Sequence, residues 1–424
     1  MLISVFTPTN NTSWLKEAWD SLQDQEINFE WLVGLNNGAD SSNIPVDPRV
    51  KVVELGEWRG VGDAKRRLCE LATGDILLEL DHDDVLAEGT LRHVADAFSD
   101  PEVGFVYSDT AEWVDSTGEP FTYSEEWGWS SYPCDVRGKK LLATASRPAT
   151  ARNMCQILYA PNHLRAWRAS IYREVGGHDP SLQVADDFDL MCRTYLATKF
   201  KHIPMGLYGY RRRSDGGNTW LVHNREIQIL CGQGADPSKP AEGQPMKLRD
   251  KYLHRLVERE CDLRGLPRVD LGGGIFGADG WKTLDVSGSP DVLWDVFGTK
   301  KLPFEDGSIG AFRAFDFLEH GEDADAFWLM DEIWRCLAPG GYFLSYTPHA
   351  LGIGASCDPS HRSRWDERRF LYWCSDELRP FLKSAYSPAV AKFKPIRLYR
   401  EERSMGPAPW RFEVPYVVAD LQKV

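Results

Sequence analysis

The chain is expected to be an α/β protein built from two mostly parallel-sheet domains, and three observations carry that expectation. Short β-like runs alternate with helical patterns over residues 1–110. A Gly- and Pro-rich stretch without periodicity fills residues 231–245, and a second strand-and-helix pattern begins at residue 246. Strand–helix alternation implies a mostly parallel sheet with helices on its faces. A length of 424 residues exceeds one ordinary domain, so domains at 1–230 and 246–424, joined by a linker at 231–245, are expected.

In the first domain, residues 2–6, 31–35, 50–53, 76–80 and 103–107 read as strands, and 14–23, 62–71 and 90–98 as helices. Open sheets of this kind bind ligands beyond the carboxyl ends of their strands. The acidic cluster Asp81-His82-Asp83-Asp84 follows the strand at 76–80 directly. Residues 111–160 are weakly patterned and aromatic (Trp113, Phe121, Tyr123, Trp127, Trp129, Tyr132), as an active-site lid would be.

The bulk numbers exclude several classes. With 42% hydrophobic and 26% charged residues the chain has globular composition. No run approaches the roughly 18 apolar residues of a bilayer span. The start, Met1-Leu2-Ile3-Ser4-Val5-Phe6, lacks a basic flank and reads as a buried strand rather than a signal peptide. Nine cysteines, odd in number and without a Cys-x-x-Cys pair, argue against a disulfide framework and predict a reducing cytoplasm. A net charge of -14 argues against a broad nucleic-acid surface, leaving Arg211-Arg212-Arg213 as a local basic groove at most.

Two carboxylates in an Asp-x-Asp arrangement at a strand end can share a divalent cation, and hard oxygen ligands suit Mg²⁺ or Mn²⁺. Such a turn is also an ordinary solvated loop, so context decides. The order is Phe6-Thr7-Pro8-Thr9-Asn10, Asn36-Asn37-Gly38, Gly60-Val61-Gly62-Asp63-Ala64-Lys65, then Thr73-Gly74-Asp75 running through Asp81-His82-Asp83-Asp84. Together these resemble the family 2 glycosyltransferases of GT-A fold over roughly residues 1–230.

That resemblance implies a nucleotide-sugar donor, Mn²⁺ or Mg²⁺, and a hydroxyl acceptor. Thr7 and Pro8 would underlie the nucleoside, Lys65 would sit near base and phosphates, and Asp81 and Asp83 would hold ribose and metal. Asn37 stands where the family carries an aspartate against the base; an amide both donates and accepts, so it still pairs with a uracil edge. Ala185-Asp186-Asp187-Phe188 resembles the segment carrying the catalytic base, with Asp187 as first choice beside Asp186. Both also suit a helix start. The stretch Tyr210-Arg211-Arg212-Arg213-Ser214-Asp215-Gly216-Gly217-Asn218-Thr219 resembles the closing loop. Arg211 and Arg213 would grip the donor diphosphate, and Asp215 or His223 would be a further metal ligand. His163, Arg165 and Trp127 are expected to face the acceptor.

In the second half, Val269-Asp270-Leu271-Gly272-Gly273-Gly274 is followed by Thr283-Leu284-Asp285-Val286, Asp291-Val292-Leu293-Trp294-Asp295, Phe317-Leu318-Glu319-His320 and Asp358-Pro359-Ser360-His361-Arg362. A lone Gly-rich turn is only a tight strand-to-helix connection, but this series resembles class I S-adenosylmethionine-dependent methyltransferases over residues 246–424. The resemblance implies a Rossmann-type domain with S-adenosylmethionine near Asp270, Gly272, Gly274, Asp285 and Asp295. Glu319, His320 and His361 are candidate bases.

The leading expectation is therefore a hexosyltransferase-type enzyme whose second domain either methylates the product or, as a cofactor-binding or degenerate domain, helps bind the acceptor. Two alternatives stand beside it. One is a phage-type nucleobase glycosyltransferase acting on modified DNA; the other is an inactive two-domain scaffold.

Overall fold

The computed structural model describes residues 1–157, 160–232, 248–274, 277–385, 390–405 and 412–424. Most of the expected linker at 231–245 lies outside them. The chain divides into two compact units, one made of the described residues to 232 with 248–252, the other beginning at 253.

The first unit holds β1 (Ile3–Thr9), β2 (Phe29–Asn36), β3 (Val50–Gly56), β4 (Ile76–Glu79), β5 (Val85–Leu86), β6 (Val103–Val114), β7 (Pro120–Phe121), β8 (Ser131–Val136), β9 (Lys139–Thr144), β10 (Arg165–Arg168) and β11 (Lys199–Arg212). The main path runs β3-β2-β1-β4-β10-β6-β11-β5. β1 pairs in parallel with both β2 and β4, whereas β10 is antiparallel to β4 and β6. β2 and β4 are buried along their whole lengths, which is why both read as continuous apolar runs rather than alternations. The helix Leu15–Leu22 buries Leu15, Ala18, Trp19 and Leu22, one face at helical spacing, into the core with Ile3, Val5, Trp31 and Leu78. The helix Val61–Leu71 starts after Gly60, whose φ of +118° no ordinary side chain adopts.

Residues 111–160 correct the expectation of an unpatterned lid. β6 continues to Val114, and β8 and β9 form an antiparallel hairpin from Ser131–Thr144 to Val136–Lys139. Its two-residue turn, Arg137-Gly138, has both φ positive, at 54° and 79°, the geometry that matches strand twist. An Arg there gives no sequence signal of the Asn-Gly kind. The structure holds it through Arg137 Nε donating to the Leu86 carbonyl at 3.0 Å and a bidentate pair with Asp24.

The second unit contains β12 (Arg268–Leu271), β13 (Lys282–Asp285), β14 (Val292–Leu293), β15 (Ile309–Phe315), β16 (Leu337–Pro348), β17 (Phe393–Met405) and β18 (Phe412–Lys423). Their order is β14-β13-β12-β15-β16-β18-β17; β12 to β16 pair in parallel and β18 is antiparallel to β16 and β17. Among the described residues no helix connects β12 to β13. The helix Asp325–Cys336 buries Ala326, Leu329, Met330 and Ile333 in this unit's core.

Gly62 is fixed by space: a Cβ there would lie 2.3 Å from the Asp179 carbonyl oxygen. Gly62→Ala is expected to destabilise the first unit by about 1–3 kcal/mol through overpacking, read as a lower urea midpoint for its transition.

Candidate active site

Charge is concentrated where the sheet would ordinarily be apolar. Glu79 ends β4 with 0% of its surface exposed, facing Phe6 across β1 and Arg165 across β10. Lys65, from the second turn of the helix Val61–Leu71, contacts Glu79 Oε1 directly and lies 3.8 Å from Asp186 Oδ2. Arg165 lies 3.9 Å from Glu79 Oε2 and donates from Nη1 to Asp187 Oδ2 at 2.7 Å. Two cations thus hold three carboxylates from four elements. Ala185, at φ +59°, turns the chain so that Asp186 and Asp187 open the helix Asp186–Ala197.

The two aspartates end in different states. Burial works to raise Asp187, but the Arg165 guanidinium outweighs it and holds the carboxyl below its ordinary value. Its side chain keeps 26% exposure. Burial pushes Asp186 up to about 7 against the pull of Lys65. Its Oδ2 has no hydrogen-bond partner and faces His178 Nε2 at 3.6 Å. Burial drives His178 down to about 3, so that ring is neutral. Glu79 is held well below the carboxylate range because Lys65 overcomes its burial.

Beyond β4 the acidic loop is compensated less fully, with Arg213 failing to offset the burial of Asp83. Burial raises both Asp83 and Asp84, and the neighbouring aspartates raise them further. Asp84 Oδ1 accepts the Arg211 backbone N–H at 2.7 Å, while Asp84 Oδ2 is a buried oxygen without a partner. Asp81 is more open, with 33% of its side chain exposed, and His163 Nε2 approaches it to 3.7 Å. The His163 ring stacks on Tyr208 with centroids 4.8 Å apart, and neither ring nitrogen is hydrogen-bonded.

Glu79, Asp81 and His163 place ligand atoms within 4.8 Å of one another. Glu79 already faces Lys65 and Arg165, so a cation there would meet two positive charges. Asp81 with Asp83 is the better donor pair: hard oxygens, neither in a direct ion pair with Lys or Arg among the described residues, with burial and the neighbouring Asp81 raising Asp83.

Several expected residues have other tasks. Thr7 is fully buried, donates to the Leu80 carbonyl at 2.7 Å and accepts from Trp31 Nε1 at 2.9 Å; its side chain locks strands together and does not face a nucleoside. Pro8, beside it, is half-buried. Lys65 is a buried counter-ion rather than a free phosphate ligand, and Arg165, 1% exposed, orients Asp187 rather than facing an acceptor. Arg211 is spent on the acidic loop and on Glu17, through Nε to the Asp83 carbonyl at 2.8 Å and Nη2 to Glu17 at 2.7 Å. Arg213 and Asp215 pair with each other, and His223 pairs with Glu226. Neither Asp215 nor His223 joins a metal-capable cluster among the described residues. Arg212 pairs with Glu112 and covers Phe121, so the arginine run forms no open cationic groove. The Trp127 side chain lies outside the described residues.

At the end of β2, Asn37 is exposed at φ +52° and accepts the Trp58 N–H. Its neighbour Asn36 is 3% exposed with an unpartnered Nδ2. Asn36 and Glu79 are the residues sequence reasoning passed over. The one available signal was a carboxylate inside the apolar run Ile76-Leu77-Leu78-Glu79-Leu80.

In the second unit, a cavity of about 620 Å³ is lined by Asp270, Gly272, Gly273, Gly274, Arg313 and Asp316, among others. Asp270 is 1% exposed and paired with Arg313. Asp285 borders Gly274, whose Cβ would stand 3.4 Å from its Oδ2. Asp295 is placed otherwise than expected: it caps the helix Val296–Thr299, accepting the Gly298 N–H, and does not line this cavity.

Residues 4–155 match the family model Glycosyl transferase family 2. That stretch of the N-terminal unit is similar to the family, and the match takes in Lys65, Glu79 and the acidic loop but ends before Arg165, Asp186 and Asp187. No curated protein matches the chain. Among solved structures, S. aureus TarS 1-349 aligns at 17% identity and TM-score 0.39, over 62% of this chain and 72% of that one. TarS 1-349 in complex with UDP-GlcNAc aligns at 16% and 0.40, over 62% and 73%. Mannosyltransferase PcManGT from Pyrobaculum calidifontis, in complex with GDP-Man and Mn2+, aligns at 18% and 0.39, over 60% and 68%.

Removing one member of the buried network leaves its partners charged. Lys65→Met is expected to cost about 3–5 kcal/mol by stranding Glu79, and Lys65→Met with Glu79→Gln should recover part of that loss. Denaturant melts of the single and double variants measure both.

Proposed function

We propose that the first unit transfers a sugar from a nucleotide-sugar donor to a hydroxyl acceptor with inversion, using Asp187 as base and Asp81 with Asp83 as metal ligands. The observation that carries this reading is the contrast between two carboxylate sets close to the carboxyl end of β4. One, at Asp187, is ionised and fixed by Arg165. The other, in the acidic loop, is crowded, and burial with the neighbouring carboxylates outweighs the pull of Arg213 on Asp83. Mn²⁺ or Mg²⁺, held by Asp81 and Asp83, would stabilise the departing nucleoside diphosphate as a Lewis acid.

Asp187 Oδ2 is anchored by Arg165, and Oδ1 accepts the Phe188 N–H at 2.8 Å. The carboxylate is thus oriented before an acceptor arrives. It is a weak base, which suffices because a hydroxyl becomes acidic only as its oxygen bonds to the anomeric carbon. Asp186 is too buried to meet an acceptor. His163, stacked on Tyr208 with Nε2 3.7 Å from Asp81, is placed to steady that loop or touch the acceptor. The buried Asn36 amide, rather than Asn37 alone, would read the base edge of the donor.

For the second unit, we propose that the cavity at Asp270 and Gly272–Gly274 binds S-adenosylmethionine. The sheet reverses order at β12, and ligands in such folds sit outside the strand ends at that point. The cavity volume suits a small molecule, and Asp285, at the end of β13, borders Gly274 where a ribose carboxylate partner is needed. Methylation of the glycosylated product would follow.

Asp187→Asn is expected to lower kcat about 10²–10⁴-fold while donor binding, read by calorimetry with Mn²⁺, persists. Asp81→Asn with Asp83→Asn should abolish metal-dependent turnover, screened with uridine, guanosine and thymidine donors; full activity in that variant would refute the metal assignment. The pH profile separates the two aspartates. Because the Arg165 guanidinium holds Asp187 below its ordinary value, it stays charged as pH falls, so activity should persist down through the ordinary carboxylate range. An acid limb near 7 would instead assign the base to Asp186.

A further inference from the structure

Glu319 follows the strand that floors the second unit's cavity: β15 ends at Phe315, Asp316 lines the cavity, and Glu319 is three residues on. It is 1% exposed, and neither carboxylate oxygen has a hydrogen-bond partner. A buried carboxylate in that state costs several kcal/mol unless a proton or a cation compensates it. The nearest side chains are not lysines or arginines but imidazoles. His361 Nε2 lies 3.9 Å from Glu319 Oε1, and Glu319, His320 and His361 each offer a ligand atom within 4.8 Å of the others.

We infer that Glu319, His320 and His361 form a divalent-metal site in the second unit, separate from the acidic loop of the first, for a cation of the zinc class. Two imidazoles and one carboxylate are a borderline-soft donor set that favours Zn²⁺, Co²⁺ or Fe²⁺ over Mg²⁺. The surroundings prepare it. His361 Nδ1–H donates to the Gly354 carbonyl at 3.0 Å, the tautomer that leaves the Nε2 lone pair on the side of Glu319. The Arg362 and Ser363 N–H groups both donate to the Glu319 backbone carbonyl, fixing the loop against its partner segment. Asp358 Oδ2 stands 3.9 Å from His361 Nε2, while Asp358 Oδ1 is engaged by Ser360. Three protein ligands leave a coordination position for water or for an oxygen of a bound substrate.

Full-length protein carrying Asp81→Asn and Asp83→Asn, which disables the first-unit loop, is stripped with chelator and titrated with Co²⁺ and with Zn²⁺. One equivalent of Co²⁺ with visible ligand-field absorption is expected, and Glu319→Gln or His361→Gln should weaken binding by about 100-fold or more. Glu319→Gln keeps the shape and removes an unpaired charge, so it should remain folded by circular dichroism. Zn²⁺ should raise the melting temperature of the parent and leave that of Glu319→Gln unmoved. No Co²⁺ bound in the parent, or equal Zn²⁺ shifts in parent and Glu319→Gln, would overturn the site.

Discussion

Glu79 carries a negative charge at the end of an apolar strand, with no exposed surface, and the first unit is organised around keeping that charge tolerable. A carboxylate removed from water needs both Coulomb partners and hydrogen bonds. Lys65, from a helix, supplies both at Oε1, and Arg165, from the antiparallel strand beside β4, adds a second positive charge at 3.9 Å from Oε2. Because each cation has charge to spare, the same pair reaches the start of the helix Asp186–Ala197. The position of Asp187 is thereby tied to the centre of the sheet rather than to a loop. A base built this way is preorganised by the core, and its orientation is inherited from the packing of β4.

Much of the sheet was legible because its strands are buried on both faces, so Ile76 to Leu80 and 31–35 stood out as apolar runs. The hairpin β8–β9 was not. Its strands face solvent on one side, and its turn uses Arg137 where Asn or Asp would have signalled it. Motif order located the acidic loop and the Asp186-Asp187 pair, but not which side chains touch. Lys65, Arg165 and Arg211 each carry a charge that pattern reasoning aimed at a ligand, and each is consumed by carboxylates far away in sequence, 14, 22 and 194 residues off. Sequence spacing holds no record of such pairings. The second unit's strand positions follow its Gly-rich turn and the acidic residue that ends β13, whereas Asp295 shows how an aspartate at a motif position can serve as a helix cap.

The acidic loop differs from the Glu79 network by what it lacks. Arg211 holds the loop mainly through backbone groups and Asp84, and its remaining donor goes to Glu17. Asp81 and Asp83 are left to repel each other close to a partly exposed surface. Carboxylates crowded in this way are poised for a cation that arrives with its substrate, because binding then releases the repulsion.

Glu319 meets the same physical problem as Glu79 with a different set of neighbours. Both are carboxylates with about no exposed surface, Glu79 at the end of β4 and Glu319 in the single helical turn Leu318–His320 after β15. Glu79 is answered by an ammonium and a guanidinium, permanent charges that make it structural. Glu319 is answered by His361 and His320, whose ring nitrogens are lone-pair donors that can ligate a zinc-class ion. Imidazoles cannot neutralise a carboxylate as Lys65 does, but they can complete a coordination shell that does. The identity of the neighbours, more than the burial itself, therefore separates a carboxylate that holds a fold from one that awaits an ion.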